Sequence, residues 1–268
     1  MSRELPTYEV YALRYATVER RRRDNFIVGD AHDMSPMTMD YYVWLICGAG
    51  RTYLVDTGFN EAAARERGRM LLRCPIHALT SFGLAPEMIT DVIVTHLHYD
   101  HAGNLGLLPE ARIHLQESEM HYATGRYMRH GLLRQAFAVE DILNVVRGVY
   151  DDRVEFRRGD EDIADGLQVI HVGGHTAGLQ AVRVHTARGW IVIASDASHF
   201  YDNIQQASPF PIVLHVGEML DGYQRLLSLC ASPDHLIPGH DPLVLRRYPR
   251  WKDPAWDIVA LHRHPSAI

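Results

Sequence analysis

Short apolar runs punctuated by glycine, with stretches of helical period between them, make up most of the chain. Residues 8 to 18 alternate loosely between apolar and polar and predict a first strand. Tyr41-Tyr42-Val43-Trp44-Leu45-Ile46-Cys47 and Arg51-Thr52-Tyr53-Leu54-Val55-Asp56 predict two strands joined through Gly48-Ala49-Gly50, a hairpin signal. Residues 181 to 185 and 190 to 194 predict a second hairpin around Ala187-Arg188-Gly189. Further strands are predicted at Asp91-Val92-Ile93-Val94 and over residues 111–115, 154–156 and 167–171. A helix is predicted over residues 61–72, where Ala62, Ala63 and Ala64 favour it and Asn60 can cap it. Another is predicted over 139–149, and a third over 216–230, where Met219, Leu220, Tyr223, Leu226 and Leu227 form one apolar stripe. Pro86-Glu87 marks a short helical turn. Residues 117–143 are polar and helix-prone, an insertion suited to a pocket lid or to a subunit surface. The tail over 251–268 is partly amphipathic and is expected to pack on the surface. No repeat or low-complexity linker divides the chain, so this pattern predicts one α/β or α+β domain over residues 1–268.

Composition narrows the function classes. A chain of 268 residues, 47% hydrophobic, can bury a substantial core. Its formal charge of −6, from 27 basic and 33 acidic residues, argues against a nucleic-acid partner. The three cysteines (Cys47, Cys74 and Cys230) imply no disulfide framework, and Cys47 and Cys230 are expected to be buried small hydrophobes. Met1-Ser2-Arg3-Glu4-Leu5-Pro6 has no apolar signal region, and no apolar run approaches the ~20 residues of a membrane span. No membrane partner and a reducing cytoplasm are therefore expected. Arg20-Arg21-Arg22-Arg23 is expected to be a solvated loop, with a ligand contact as the alternative. Met34-Ser35-Pro36-Met37-Thr38-Met39 is expected to lack regular structure and to adapt to an irregular apolar shape, in the core or on a pocket wall.

The candidate chemistry centres on Thr95-His96-Leu97-His98-Tyr99-Asp100-His101-Ala102-Gly103, which follows the run at 91–94. Imidazole and carboxylate groups at this density suit zinc and other borderline divalent ions. His96 and His98 are two apart and share a side of an extended segment, while Asp100 and His101 fall on the turn that follows. Three further candidates follow apolar runs: His175 in Gly173-Gly174-His175-Thr176-Ala177-Gly178, Asp196 in Ser195-Asp196-Ala197-Ser198-His199, and His240 in Pro238-Gly239-His240-Asp241. Loops at strand ends are where such scaffolds hold functional groups.

His-x-His-x-Asp-His, a glycine-flanked His, an Asp and a Gly-His, in that order, resemble the metallo-β-lactamase superfamily. The motif wording is most similar to its N-acyl homoserine lactonase branch. The resemblance implies a four-layer αββα sandwich and two zinc ions, in whose place manganese, cobalt or iron can also sit. By that resemblance His96, His98 and His175 hold one ion, Asp100, His101 and His240 hold the other, and Asp196 bridges them. Asp56, in Asp56-Thr57-Gly58, would support the ligand loop without binding metal. Having His98 in place of a carboxylate argues against the oxygen-reducing di-iron relatives. Having Asp196 in place of a cysteine argues against the main antibiotic-hydrolysing members. The implied reaction is the opening of a small lactone by a metal-bridging hydroxide, with Asp100 orienting it and carrying the proton to the leaving oxygen. An N-acyl homoserine lactone or a catabolic lactone would serve as substrate, and the lactonase relatives raise the expectation of a homodimer.

One position departs from that branch. Three residues past the bridging aspartate the homoserine lactonases carry a substrate-contacting tyrosine, where this chain has His199, with Tyr201 two further on. His199 is either a hydrogen-bond donor to substrate or a wall residue, and Tyr201 replaces the tyrosine if the loop shifts. A glyoxalase II-like thioester hydrolase, using Arg246, Arg247 and Arg250, and a non-catalytic metal-binding sensor remain as alternatives.

Overall fold

The computed structural model describes residues 4–251 and 256–266. Among the described residues thirteen strands form two sheets. The strands are β1 (Glu9–Val18), β2 (Met39–Gly48), β3 (Arg51–Val55), β4 (Met70–Leu71), β5 (Asp91–Ile93), β6 (Arg112–Gln116), β7 (Val154–Arg157), β8 (Glu161–Ala164), β9 (Leu167–His171), β10 (Gln180–Thr186), β11 (Gly189–Ser195), β12 (Leu236–Pro238) and β13 (Ile258–Ala260). The first sheet runs β13-β1-β2-β3-β5-β6-β7, with β4 added on β1, and the second runs β12-β11-β10-β9-β8. The α-helices are α1 (Glu61–Arg67), α2 (Tyr99–Ala102), α3 (Glu117–Ala123), α4 (Gly131–Arg134), α5 (Val139–Tyr150), α6 (Tyr201–Gln205), α7 (Val216–Leu229) and α8 (Leu243–Arg247).

Period-two alternation sorts each long strand between two cores. Val10, Ala12, Tyr42, Trp44 and Ile46 meet Val169, Val182, Val184, Ile191 and Ile193 in the layer between the sheets. Their neighbours Tyr11, Leu13, Val43 and Leu45 face the opposite way, onto a core that includes Leu79, Ile142 and Val145. The outer face of the second sheet, with Ile170, Ala181, Val192 and Ala194, is covered by Leu226 of α7. Three apolar layers separate four layers of structure, helix, sheet, sheet and helix, which is the expected αββα sandwich. Both faces of β2 are buried, which is why it reads as a continuous apolar run.

Both predicted hairpins are present, with β2 paired to β3 and β10 to β11. The first turns through Ala49 and Gly50 at φ of 51° and 74°, the left-handed pair of a tight hairpin. The helix expected over 61–72 stops at Arg67. Gly68 takes a left-handed conformation there and its N–H closes on the Ala64 and Arg65 carbonyls, so Met70 and Leu71 join β1 instead. The tail also departs from expectation. β13 lines the edge of the first sheet against β1, and Ile258, Val259 and Leu261 are fully buried. Three residues are too few to show a strand period, so only the sheet edge reveals that strand; the rest of the predicted tail at 252–255 and 267–268 lies outside the described residues. Cys47 and Cys230 are free thiols and only partly buried, because each sits at the margin of its core. Among the described residues no helix is long and apolar enough to cross a membrane.

Candidate metal centre

The ligand-type residues leave strand ends on one edge of the sandwich. Asp56 follows β3, and the segment from His96 to His101 follows β5, which runs parallel to β3. Asp196 and His199 follow β11, His240 follows β12, and those two strands are also parallel. His175 sits on the turn between β9 and β10. Two strand ends are pinned by strained backbone, since Asp56 (φ 60°) and Ser195 (φ 47°) lie in the left-handed region without being glycine. Both reach the same side chain: Thr95 Oγ1 is 2.8 Å from Asp56 Oδ2 and 2.9 Å from Ser195 Oγ. Thr95 therefore ties the two sheets together beneath the site. At Gly239 a Cβ would come within 2.7 Å of the Ser195 carbonyl, so only glycine lets the last loop approach Asp196.

Two sets of donor atoms converge. His98 Nδ1 lies 3.0 Å from both His96 Nε2 and His175 Nε2, and Asp196 Oδ2 is 3.1 Å from His175 Nε2 and 3.7 Å from His96 Nε2. Asp196 Oδ1 is 3.2 Å from His101 Nε2 and 2.9 Å from His240 Nε2, with Asp100 Oδ2 at 3.8 Å and 4.0 Å from the same two nitrogens. A tetrahedron of ligands about 2.0 Å from a zinc ion has edges of about 3.3 Å. The two sets surround volumes of that size and share the Asp196 carboxylate, one oxygen to each. His199 Nε2, 3.2 Å from Asp196 Oδ2, is also close enough to join a ligand set.

The far side of each imidazole decides which nitrogen faces inward. His175 Nδ1 is 2.6 Å from the Ile212 carbonyl and His240 Nδ1 is 2.8 Å from the Asp40 carbonyl. A carbonyl only accepts, so both Nδ1 atoms carry hydrogen and both Nε2 lone pairs point at the cluster. His101 Nδ1 is 2.8 Å from Asp56 Oδ2, and His96 Nδ1 is 3.1 Å from Thr95 Oγ1. Asp56 thus supports the ligand loop as expected, also accepting from the Thr95 N–H at 2.7 Å.

Electrostatics point the same way. Burial drives the His96 and His98 pKa values well below the ordinary imidazole value, and neighbouring imidazoles push them further, so their lone pairs are free. Burial alone would raise Asp196, but the surrounding imidazoles, His199 and His101 foremost, hold it well below the usual carboxylate range. Burial also opposes charge on His101, yet the Asp196, Asp56 and Asp100 carboxylates prevail and hold its pKa well above the ordinary value. His101 Nε2 is nonetheless a buried atom without a hydrogen-bond partner, aimed at two carboxylates. The cluster calls for positive charge between Asp100 and Asp196, and the donor set fits divalent metal ions.

A cavity of about 120 Å³ opens onto the cluster, lined by His98, Asp100, His175, Asp196 and His199 together with Met39, Tyr41, Tyr99 and Phe210. His199 stacks flat on Phe210, ring centroids 3.9 Å apart, and burial pushes its pKa down to about 3. Tyr201 does not line this cavity. It leaves the loop on α6 facing the inter-sheet core, beside Val244 and Tyr248 with the Arg247 guanidinium over its ring, which removes it as the substitute tyrosine. Arg246 and Arg250 line a different groove, and Arg247 pairs with Asp234, so these three arginines lie away from the cluster. The 117–143 insertion walls the cavity system: Phe137 packs edge-on against His98, and Tyr122, Leu132 and Leu133 line an adjoining lobe. Of the methionine-rich segment only Met39 reaches the cavity, whereas Met37 packs on the core and Met34 is exposed. Arg20, expected to be solvated, lines the cavity, because the chain turns back after β1 and lays the Arg20 guanidinium over the Phe210 ring.

Glu119 escaped the sequence reading. It is fully buried on α3, and its carboxylate accepts from the Leu97 N–H and the Gly178 N–H, both at 2.9 Å, joining the His96 loop to the His175 loop. A single Glu on a polar helix carries no such signal. The signal that could have found it is Gly178, where a Cβ would collide with Glu119 backbone at 2.2 Å.

Paired His/Asp donor sets at the strand ends of an αββα sandwich make this edge a candidate metal centre. Residues 39–250 match the metallo-beta-lactamase superfamily, and the chain belongs to it. It is 27% identical over 172 residues to an N-acyl homoserine lactonase of Bacillus cereus, covering 59% of this chain and 63% of that protein. The chain thus spans somewhat under two thirds of that relative's length. It is also 27% identical over 238 residues to N-acyl homoserine lactonase AiiB of Agrobacterium fabrum, covering 78% of this chain and 84% of the relative. Among solved structures, an N-acyl homoserine lactone hydrolase with N-hexanoyl-L-homoserine at its catalytic metal centre superposes with a TM-score of 0.74 at 20% identity, covering 89% of this chain and 95% of that one. The dizinc quorum-quenching lactonase AidC superposes at 0.70 with 16% identity, over 89% of each.

Proposed function

We propose that the chain is a binuclear metal-dependent hydrolase that opens a lactone ring. The observation that carries this reading is the Asp196 carboxylate, which offers one oxygen to each of two histidine sets whose inward lone pairs are fixed from behind. His96, His98 and His175 would hold one ion, Asp100, His101 and His240 the other, with Asp196 between them. Zinc suits a set whose neutral donors are all imidazoles. Such a pair, when bound, brings the pKa of a shared water towards neutrality and polarises a carbonyl oxygen.

The chain's own residues supply the rest. Asp100, at the cavity floor, orients the attacking oxygen, takes its proton and delivers it to the ring oxygen that leaves. His199 remains neutral at working pH and stands beside Asp196, where a ring N–H can meet a substrate oxygen. Phe137, Phe210 and Tyr41 limit water around the reacting ester. The names of the homoserine lactonase relatives support the lactone class, and the displaced Arg246, Arg247 and Arg250 weigh against a thioester site of the glyoxalase II type.

The decisive experiment assays purified, zinc-loaded protein against a panel of lactones and a glutathione thioester. Lactone opening, lost on chelation and restored by zinc, is the expected result, with Asp100→Asn lowering kcat by at least about a hundredfold. Thioester cleavage without lactone opening would favour the thioester reading. Bound metal with no turnover of either would favour a sensor.

A further inference from the structure

Three guanidiniums line the cavity beside the metal centre: Arg20, Arg67 and Arg69. They come from the turn after β1 and from the end of α1 and the residues just past it, so only the fold brings them together. Among the described residues none of them has a carboxylate within 4.0 Å, whereas Arg14, Arg22, Arg51 and Arg157 each do. Neutral groups hold them instead. Arg20 donates to Asn25 Oδ1 and to the Asp24 carbonyl, both at 2.6 Å, and lies over Phe210. Arg67 donates to the Gln135 and Phe137 carbonyls at 2.7 and 3.2 Å and lies 4.0 Å above the Tyr99 ring. Arg69 donates to Tyr99 Oη at 3.2 Å and to the Arg67 carbonyl at 2.7 Å.

These contacts fix where the three forks stand without neutralising them. A guanidinium carries five N–H donors, and each of the three uses only two in these contacts. Arg20 and Arg69 are near enough to repel each other, and the acidic groups Asp24, Asp100 and Asp141 act on the three only from a distance, without a direct ion pair. The carboxylates that do line the cavity, Asp100 and Asp196, are committed to the metal ligand sets. Next to this cationic lobe lies a more apolar one of about 70 Å³, sharing His98, Gln135, His175 and Ile212 and lined further by Leu132, Leu133, Val213 and Leu214.

We infer that the substrate is an anion: a lactone or ester bearing a separate, ionised carboxylate. The carboxylate seats among Arg20, Arg67 and Arg69, the scissile ester lies over the metal pair, and the apolar remainder enters the second lobe. This rests on the hydrolase reading above and deepens it, because bidentate arginine contacts select a carboxylate that a neutral acyl lactone lacks.

The test compares a γ-lactone carrying a carboxymethyl group with its methyl ester, using zinc-loaded protein. The wild type is expected to favour the acid in kcat/KM by at least about tenfold, and Arg20→Met or Arg69→Met to cut that ratio by on the order of tenfold. Arg20→Lys, keeping the charge without the fork, should recover part of the ratio. A wild type that favours the ester, or a ratio unmoved by both methionine variants, overturns the inference. If Arg69→Met fails to fold, Arg20→Met decides. Calorimetric titration with the ring-opened hydroxy dicarboxylate separates this from the hydrolase reading. Should no lactone be opened, binding weakened tenfold in Arg20→Met still supports the anion seat, and equal binding overturns it.

Discussion

Glu119 shows how a residue without a motif can govern a site. Its two oxygens each take one backbone N–H, from Leu97 and from Gly178, in full burial. In Glu119→Gln the amide nitrogen would face one of those N–H groups, donor against donor, and a ligand loop would shift. Residues that orient ligands typically cost ten- to a hundredfold in metal affinity when changed. Glu119→Gln is therefore expected to lose zinc to a competing chelator at roughly tenfold lower chelator concentration than wild type, with its helical spectrum retained. Unaltered zinc retention would remove Glu119 from the site's support. At this scale the sequence was legible where the chemistry itself names the residue: imidazoles and carboxylates at dense spacing, and Asp56 in its Asp-Thr-Gly. It was silent on Glu119, placed Arg20 in a solvated loop, and misdirected at Tyr201, which opens α6 with its side chain in the core.

Elements carry a second kind of constraint. The insertion over 117–143 was open between a lid and a subunit surface, and its α3, α4 and the residues around Phe137 supply the cavity wall. The helix that follows, α5, has a buried carboxylate in its first turn. Burial raises Asp141 from 3.8 to about 6, with Arg67 pulling back only in part. The folded protein thus binds this proton more readily than the unfolded chain, so stability falls as pH rises from about 4 to 6, and the penalty is complete above that window. Asp141→Asn is expected to stabilise the fold by about 1–2 kcal/mol at pH 8 and to have little effect at pH 4. Denaturant titrations at both values check it, and an equal shift at the two would discard the protonation argument. Helix α1 shows the limits of period alone. Helix-favouring Met70, Leu71 and Leu72 continue past Arg67, but a left-handed Gly68 ends the helix, and Arg67 and Arg69 on either side of it line the cavity.

For the whole molecule, the candidate metal centre is also a joint between the sheets. His96, His98, Asp100 and His101 come from the first sheet, and His175, Asp196 and His240 from the second. Ions gripped from both sides would stabilise the sandwich only while folded, by about 4 kcal/mol at a thousandfold excess over the dissociation constant. Chelation is expected to lower the melting temperature by roughly 10 °C, with zinc restoring it, as read by calorimetry. A melting temperature indifferent to chelator would argue against ions that join the sheets.

The chain alone marked out both hairpins, most of the longer strands and helices, and the seven candidate ligands, because hydrophobic period and metal-binding side chains are local properties. The αββα layering was expected only through the family resemblance those motifs carry, since period alone reaches no further than one α/β or α+β domain. Only the tertiary structure decided which nitrogen of His175 and of His240 faces inward, since the Ile212 and Asp40 carbonyls that settle it lie 37 and 200 residues away in sequence. It alone decided that Ile258–Ala260 completes a sheet, that Tyr201 is core, and that Arg20, Arg67 and Arg69 share a cavity with Asp196. Those outcomes depend on which strand ends meet at one edge, a contact between distant segments that no local pattern records.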